Sequence, residues 1–241
     1  TSDTTAFAGV TDLYVTSKTA TGALTTSATA ASTTNIKVTN TGSVDSTGSA
    51  EVITVKGGKD VTVVSKNNVA DTITVGTNTA GVVSDAAAGK VSVTSTGGNG
   101  TTNNIIMGAI TVNGGTEITV NQYAGNIVNT TNTGGAIAVN GNEKTTTVTV
   151  NQSAIANPTA TVVGYTAGTV TITDTNVATA ADTISTVTLK NYGNSTIASN
   201  ALSTLNLEST GATASGTLGL NITAADTTVL PTTLTVNSKG G

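Results

Sequence analysis

The chain has 241 residues, 37 % of them hydrophobic, 9 % charged and 2 % aromatic, with a formal net charge of −4. Nine lysines, no arginine and five aromatic side chains offer no basic patch and no stacking set for nucleic acid. The apolar runs are too short to span a membrane, and the absence of His and Cys removes the usual general base, the usual nucleophile pair and standard zinc or iron sites.

What remains is enough Val, Ile, Leu and Ala for a core in one large or two modest domains. Charge is far below the ~25 % of ordinary soluble domains. Thr, Asn and Ser supply the missing polarity, and Thr alone is close to a quarter of the residues. Its branched side chain suits a pleated surface, so a chain rich in Thr, Val and Gly reads as all-β. A protein of this size without cysteine suggests a bacterial or archaeal exterior. The chain begins Thr1-Ser2-Asp3 with no initiator Met and no signal sequence, which reads as a processed product or a piece of something larger.

Residues 1–35 are expected as an irregular opening segment. Leu13-Tyr14-Val15 forms a strand there, and Thr16 to Thr34, a run of small residues, is expected as loop. From Ile36 a period of two begins. Ile36-Lys-Val38, Ile53-Thr-Val55, Val61-Thr-Val63, Ile73-Thr-Val75 and Val91-Ser-Val93 each alternate apolar and polar and end at Gly, Asn or Asp. The clearest copies follow. Ile110-Thr-Val112 recurs as Ile137-Ala-Val139, and Ile118-Thr-Val-Asn-Gln122 recurs at a slightly longer interval as Val148-Thr-Val-Asn-Gln152. The difference is a short insertion around Asn142-Glu143-Lys144. The step from Ile53 to Ile110 is close to double the step from Ile110 to Ile137. This first β-repeat region spans 36–157. A second, Leu-richer region spans 158–241 and continues the first, with Val170-Thr-Ile-Thr173, Ser185-Thr-Val-Thr-Leu189, Ser203-Thr-Leu-Asn-Leu207, Leu218-Gly-Leu-Asn-Ile222 and Thr232-Thr-Leu-Thr-Val236.

Strands this short admit two architectures. One is a β-solenoid (parallel β-helix), where each rung stacks on the last and buries a ladder of Val, Ile and Leu. The other is one or two β-sandwich domains with hairpins closed at turns such as Asn113-Gly114-Gly115. Near-regular spacing favours the solenoid. The deciding question is whether Ile110-Val112 and Ile118-Val120 pair with each other or with their copies one repeat away.

The run Ser185-Thr-Val-Thr-Leu-Lys-Asn-Tyr-Gly-Asn-Ser-Thr-Ile-Ala-Ser-Asn-Ala-Leu-Ser-Thr-Leu-Asn-Leu-Glu208 resembles the Thr-rich repeats of Gram-negative surface-layer (S-layer) proteins and related giant secreted adhesins. Gly114-Gly-Thr-Glu-Ile-Thr-Val-Asn-Gln122 and Thr147-Val-Thr-Val-Asn-Gln152 do so too. The resemblance covers most of 36–240. It implies a parallel β-helix body, type I secretion, and assembly at the cell surface, often with calcium. The Gly-Gly-x-Gly-x-Asp calcium repeat of such exporters is absent here.

The acids that recur in pattern are those of Ala-Asp-Thr: Asp71, Asp182 and Asp226, each just before a strand, with Asp174-Thr175 a looser relative. At such corners a carboxylate most often accepts a backbone N–H as an Asx-turn. The alternative is a calcium ligand, which needs neighbouring oxygens to reach a coordination of six to eight. Calcium is the one candidate cofactor. No set of residues carries catalysis, since a glycosidase would need two facing carboxylates and the acids here are scattered. The expected function is a structural, extracellular bacterial surface protein whose partners are copies of itself in a layer or filament. The alternative is an adhesin or ligand-binding stalk contacting cell-surface glycans through loops such as Gly97 to Met107 or Asn126 to Gly135. Thr-x-Thr pairs such as Thr72/Thr74 raise ice binding, against which stands the unequal rung length, expected to spoil a flat face. A polysaccharide-acting β-helix is the remaining reading.

Overall fold

The computed structural model describes residues 1–5, 9–18, 24–42, 50–67, 71–79, 81–97, 106–124, 132–154, 165–175, 181–208, 218–220 and 233–239. Most of their strands form two nine-stranded parallel sheets that the chain visits in alternation. The first sheet runs Ser2–Asp3, Thr25–Ala30, Val52–Gly57, Thr72–Val75, Ile110–Asn113, Ile137–Gly141, Val170–Asp174, Ser195–Ala198 and Leu218–Leu220. The second runs Asp12–Lys18, Asn35–Thr41, Val61–Asn67, Val91–Gly97, Glu117–Ala124, Thr147–Ala154, Thr186–Lys190, Thr204–Glu208 and Thr235–Lys239. One strand from each sheet makes a coil, and the coils are numbered 1 to 9 in chain order. The fold is a β-solenoid. Among the described residues there is no helix, and so none long and apolar enough to cross a membrane.

The alternation read in the sequence becomes two facing ladders. Ile53, Ile73, Ile110, Ile137 and Val170 stack in register in the first sheet. Ile36, Val61, Val91, Ile118, Val148, Val187 and Leu205 stack in the second. All are at most 1 % exposed. Burial of such a side chain stabilises by about 1.5–3 kcal/mol. Because the inner coils share one continuous core, no coil is a folding unit alone.

Asn113-Gly114-Gly115 is a corner and not a hairpin turn. Ile110–Asn113 pairs with coils 4 and 6 of the first sheet, while Glu117–Ala124 pairs with coils 4 and 6 of the second. The corner needs left-handed backbone at both glycines, with φ of 74° and 118°. A Cβ at Gly115 would sit 2.8 Å from Val91 Cγ2.

The steps from Ile110 to Ile137 and from Ile118 to Val148 are each one coil, and the step from Ile53 to Ile110 is two, through Ile73. Coils are nonetheless unequal. Val187 and Leu205 are in-register neighbours, and so are Val148 and Val187, although the second pair stands much farther apart in the chain. The sheets stay in register because the surplus is taken up between strands, so unequal length does not break the faces. One surplus is an antiparallel hairpin, Thr77–Thr79 with Val82–Ser84, in coil 4.

Two expectations change. The run Thr16 to Thr34 is not all loop: it contains the strand Thr25–Ala30, which pairs with Val52–Gly57. Its inward residues are Thr26, Ala28 and Ala30, too small to give an apolar signal. Ser195–Ala198, passed over between the Leu-rich segments, is the first-sheet strand of coil 8. The expected boundary at Pro158 lies outside the described residues. The second-sheet strands on either side of it, Thr147–Ala154 and Thr186–Lys190, pair directly.

Candidate functional site

The chemistry concentrates at one corner, where each second-sheet strand hands over to the first-sheet strand of the next coil. Two columns of side chains meet there. One continues the inward positions of the second sheet beyond the apolar pair: Ser17, Asn40, Ser65, Ser95, Gln122 and Gln152. The other sits two residues before the inward Ile or Val of the first sheet: Glu51, Asp71, Gly108, Gly135 and Gly168.

In coils 5 and 6 this corner is closed by amides, while the buried Gln152 Oε1, on the coil 7 side, has no partner. Gln122 Nε2 donates to the Gly108 carbonyl at 2.9 Å, and Gly135 N–H donates to Gln122 Oε1 at 2.8 Å. Gln152 Nε2 donates to the Gly135 carbonyl and to Gln122 Oε1 at 3.0 and 3.1 Å. The glycines are required by close approach: a Cβ on Gly135 would lie 2.1 Å from the Gly108 oxygen.

In coils 3 and 4 the same corner is acidic. Asp71 Oδ2 accepts the Ser65 hydroxyl at 2.5 Å and the Asn40 amide at 3.3 Å, and its Oδ1 accepts the Glu51 N–H at 3.0 Å. Glu51 is fully buried, beside the Asn40 amide. Burial raises the Glu51 pKa, the Asp71 charge raises it further, and a hydrogen bond from the Asn40 amide lowers it in part.

Of the acids singled out in the sequence, Asp71 lies in this cluster. Asp182 lies at the opposite corner, where its Oδ2 accepts the Asn200 N–H at 2.5 Å. Beside it, Asp174 Oδ2 accepts Thr183 N–H, Ile184 N–H and the Ser199 hydroxyl at 2.6, 2.9 and 3.3 Å, while its buried Oδ1 has no partner. Burial raises the Asp174 pKa; the Ile184 and Thr183 amides oppose this and Asp182 adds to it. Asp71 and Asp182 are therefore not brought together. Asp226 lies outside the described residues, as do most of the loops 97–107 and 126–135. Among the described residues no group of three or more His, Cys, Asp or Glu gathers.

Sequence reading missed Glu51, Asn40, Ser65 and Gln122 as inward residues. The signal was parity. Glu51 is in phase with Ile53 and Val55, Asp71 with Ile73 and Val75, Asn40 with Ile36 and Val38, and Gln122 with Ile118 and Val120. A polar residue that continues an apolar alternation in phase points inward.

The outward faces are a second feature. Thr62, Ser92, Thr119, Thr149 and Thr188 stack along the second sheet, and Ser27, Thr54, Thr74 and Thr111 along the first. Several charges pair off: Lys90 with Glu117 and Lys190 with Glu208, both at 2.9 Å, and Lys56 with Asp85 at 3.6 Å. The coil 4 hairpin walls a shallow groove of about 590 Å³ on the first face, lined by Thr74, Thr77, Asn78, Thr111, Asn113 and Asn140. No protein-family model matches this chain, and no curated protein matches it.

Proposed function

We propose that the chain is a structural segment of an extracellular bacterial surface protein, a solenoid body that packs against copies of itself in a layer or filament of surface-layer type. The observation that carries this reading is the in-register column of Ser and Thr on both outward faces. Neighbouring hydroxyls in such a column are about 4.8 Å apart. The stretch of that column from Thr62 to Thr188 is neutral, and meets a copy of itself without burying unpaired charge. Threonine is stiff at χ1, so ordering it at a contact costs little rotamer entropy.

The test is electron microscopy and sedimentation of the purified chain across concentration. Sheets or filaments are expected. Thr119→Lys with Thr149→Lys places like charges at the centre of the second face, and Thr54→Lys with Thr74→Lys does so on the first. At least one pair should block assembly while leaving the far-UV circular dichroism unchanged. A wild-type chain that stays monomeric, or two charged variants that assemble like wild type, would sink the reading.

The groove beside the hairpin favours a second reading, a stalk module that holds a neutral polar ligand such as a surface glycan. Its lining is all hydroxyl, amide and backbone, with no charge. A glycan-array signal that disappears in Thr111→Val, Asn140→Ala would support it, and an array without signal would remove it.

A further inference from the structure

We infer that the outward face of the second sheet in coils 1 to 3 is a docking surface for an acidic polysaccharide. Lys18, Lys37 and Lys66 meet its acid groups, and Tyr14 stacks on a sugar ring. The three lysines stand far apart in the sequence and form no basic run, so the patch exists only in the fold. Strand register assembles it. Lys18, Thr41 and Lys66 are in-register neighbours, and Lys37 lies on the middle strand between Tyr14 and Thr62. With strands about 4.8 Å apart, Lys18 and Lys66 are about 10 Å apart at Cα, and Lys37 is about 13 Å from Thr41 along its own strand. Tyr14 and all three lysines are exposed.

Charge complementarity sets the class of partner. The chain carries a net −4, yet the outward positions of these three strands from Tyr14, Lys37 and Thr62 onward hold three lysines and no acid. Among the described residues the lysine ion pairs are made by Lys56, Lys90 and Lys190, so the ammonium groups of this patch have no carboxylate partner. The acids at its margin are engaged elsewhere. Asp12 accepts the Asn35 amide at 3.0 Å and the Thr11 hydroxyl at 2.9 Å, and Asp60 Oδ1 accepts the Lys90 N–H at 2.8 Å. Farther along the solenoid the column of Lys37 continues as Ser92, Thr119 and Thr149. The fold is therefore served by short neutral side chains at these positions, and like charges placed together there contribute nothing to its stability.

The shape and the remaining side chains select a polymer of sugars. The surface is a sheet face and not a cavity, which suits a chain lying across several coils better than one small anion. Three individually weak contacts to one polymer reinforce each other, because the second and third are intramolecular. Tyr14, 71 % exposed, is in register with Lys37 and offers a ring to the apolar face of a sugar. Thr39 and Thr41 lie between the lysines and can exchange hydrogen bonds with sugar hydroxyls. Single-stranded nucleic acid is held by successive stacking rings, and a lipid surface by a broad apolar face; the patch has one tyrosine and no such face. It borders the neutral stretch that begins at Thr62 and does not depend on copies packing there.

The test is binding of the whole chain to polygalacturonate and to its methyl ester, at 0.1 and 1 M sodium chloride, between which the screening length falls from about 10 Å to about 3 Å. The acid form should bind at the lower salt. Esterification and the higher salt should each weaken binding by about tenfold or more. Lys18→Ala with Lys37→Ala and Lys66→Ala should do the same. Lys59→Ala with Lys144→Ala and Lys239→Ala removes equal charge from exposed sites elsewhere and should stay within about twofold of wild type. Tyr14→Ala should weaken binding roughly fivefold, and Tyr14→Phe should restore it. Sedimentation of the same samples keeps assembly separate from binding. The inference is overturned if polygalacturonate does not bind, if its ester binds equally, or if the two triple variants behave alike. Tyr14→Ala binding as tightly as wild type overturns it too, as does tighter binding to phosphatidylglycerol vesicles or single-stranded DNA than to polygalacturonate.

Discussion

Gln122 is the point at which the corner of the solenoid is held shut, and replacing it by alanine should be among the most damaging polar substitutions in the chain. The side chain is fully buried. Truncation strands the Gly135 N–H and the Gly108 carbonyl, both buried and both bonded to this amide. An orphaned buried group costs about 1–3 kcal/mol, and the void left by the amide adds to that. The sum is roughly 3–6 kcal/mol, a large part of the ~5–15 kcal/mol that holds a typical domain. At about 2–4 °C per kcal/mol for a chain of this size, the melting temperature should fall on the order of 10 °C. Urea unfolding followed by far-UV circular dichroism measures the total. Hydrogen exchange at the Gly135 amide measures the site itself and should accelerate well beyond that of neighbouring core amides. Asn121→Ala, next door but outward, should stay within about 0.5 kcal/mol. Because Gln152 Nε2 shares the acceptor Gln122 Oε1, the effects of Gln122→Ala and Gln152→Ala should be non-additive. A Gln122→Ala variant within about 0.5 kcal/mol of wild type, with Gly135 exchange unchanged, would refute the account of this corner.

Three further outcomes follow from the same structure. Gly115→Ala combines a left-handed φ with a 2.8 Å approach to Val91 Cγ2, whereas Gly81→Ala has positive φ and open space; denaturant midpoints should show Gly115→Ala the more destabilised by roughly 1–3 kcal/mol. Asp174 has its pKa raised by burial, so the folded chain holds a proton that the unfolded chain releases above about pH 3.9. Its contribution is present below that pH and lost as pH rises through the raised folded value, so thermal melts from pH 3.5 to 7 should show wild type losing ground steadily to Asp174→Asn. Tyr165 is buried with its hydroxyl unpartnered and its pKa pushed up by burial, so the folded state holds a proton released on unfolding above about pH 10. Stability should fall above that pH in wild type and not in Tyr165→Phe, which at pH 7 should melt no lower than wild type; a lower melting temperature there would show that the hydroxyl has a partner.

Much of the fold was legible because two regularities are local. Alternation within four or five residues marks a strand and its inward side. Ile110 and Ile137, or Ile118 and Val148, could be matched as copies, and the structure pairs each with its copy. Parity also held the clue to Glu51, Asp71 and Gln122, since it assigns a side to polar residues as firmly as to apolar ones. Thr25–Ala30 escaped because Ala28 and Ala30 bury little area, and so carry little of the signal that alternation rests on.

The sequence by itself determined that this chain is all-β, where most of its strands lie, which side of each faces inward, and how far apart two clear pairs of copies stand. Only the tertiary structure decided which strand pairs with which. Asn113-Gly114-Gly115 has the residues of a hairpin turn and of a solenoid corner alike, because glycine permits either. The choice is made one full coil away, where Ile137 and Val148 offer the in-register ladders that Ile110 and Ile118 extend. The acidic corner was decided at the same range. Glu51, Asp71, Asn40 and Ser65 come from three successive coils, and no property of any one of those strands brings them together.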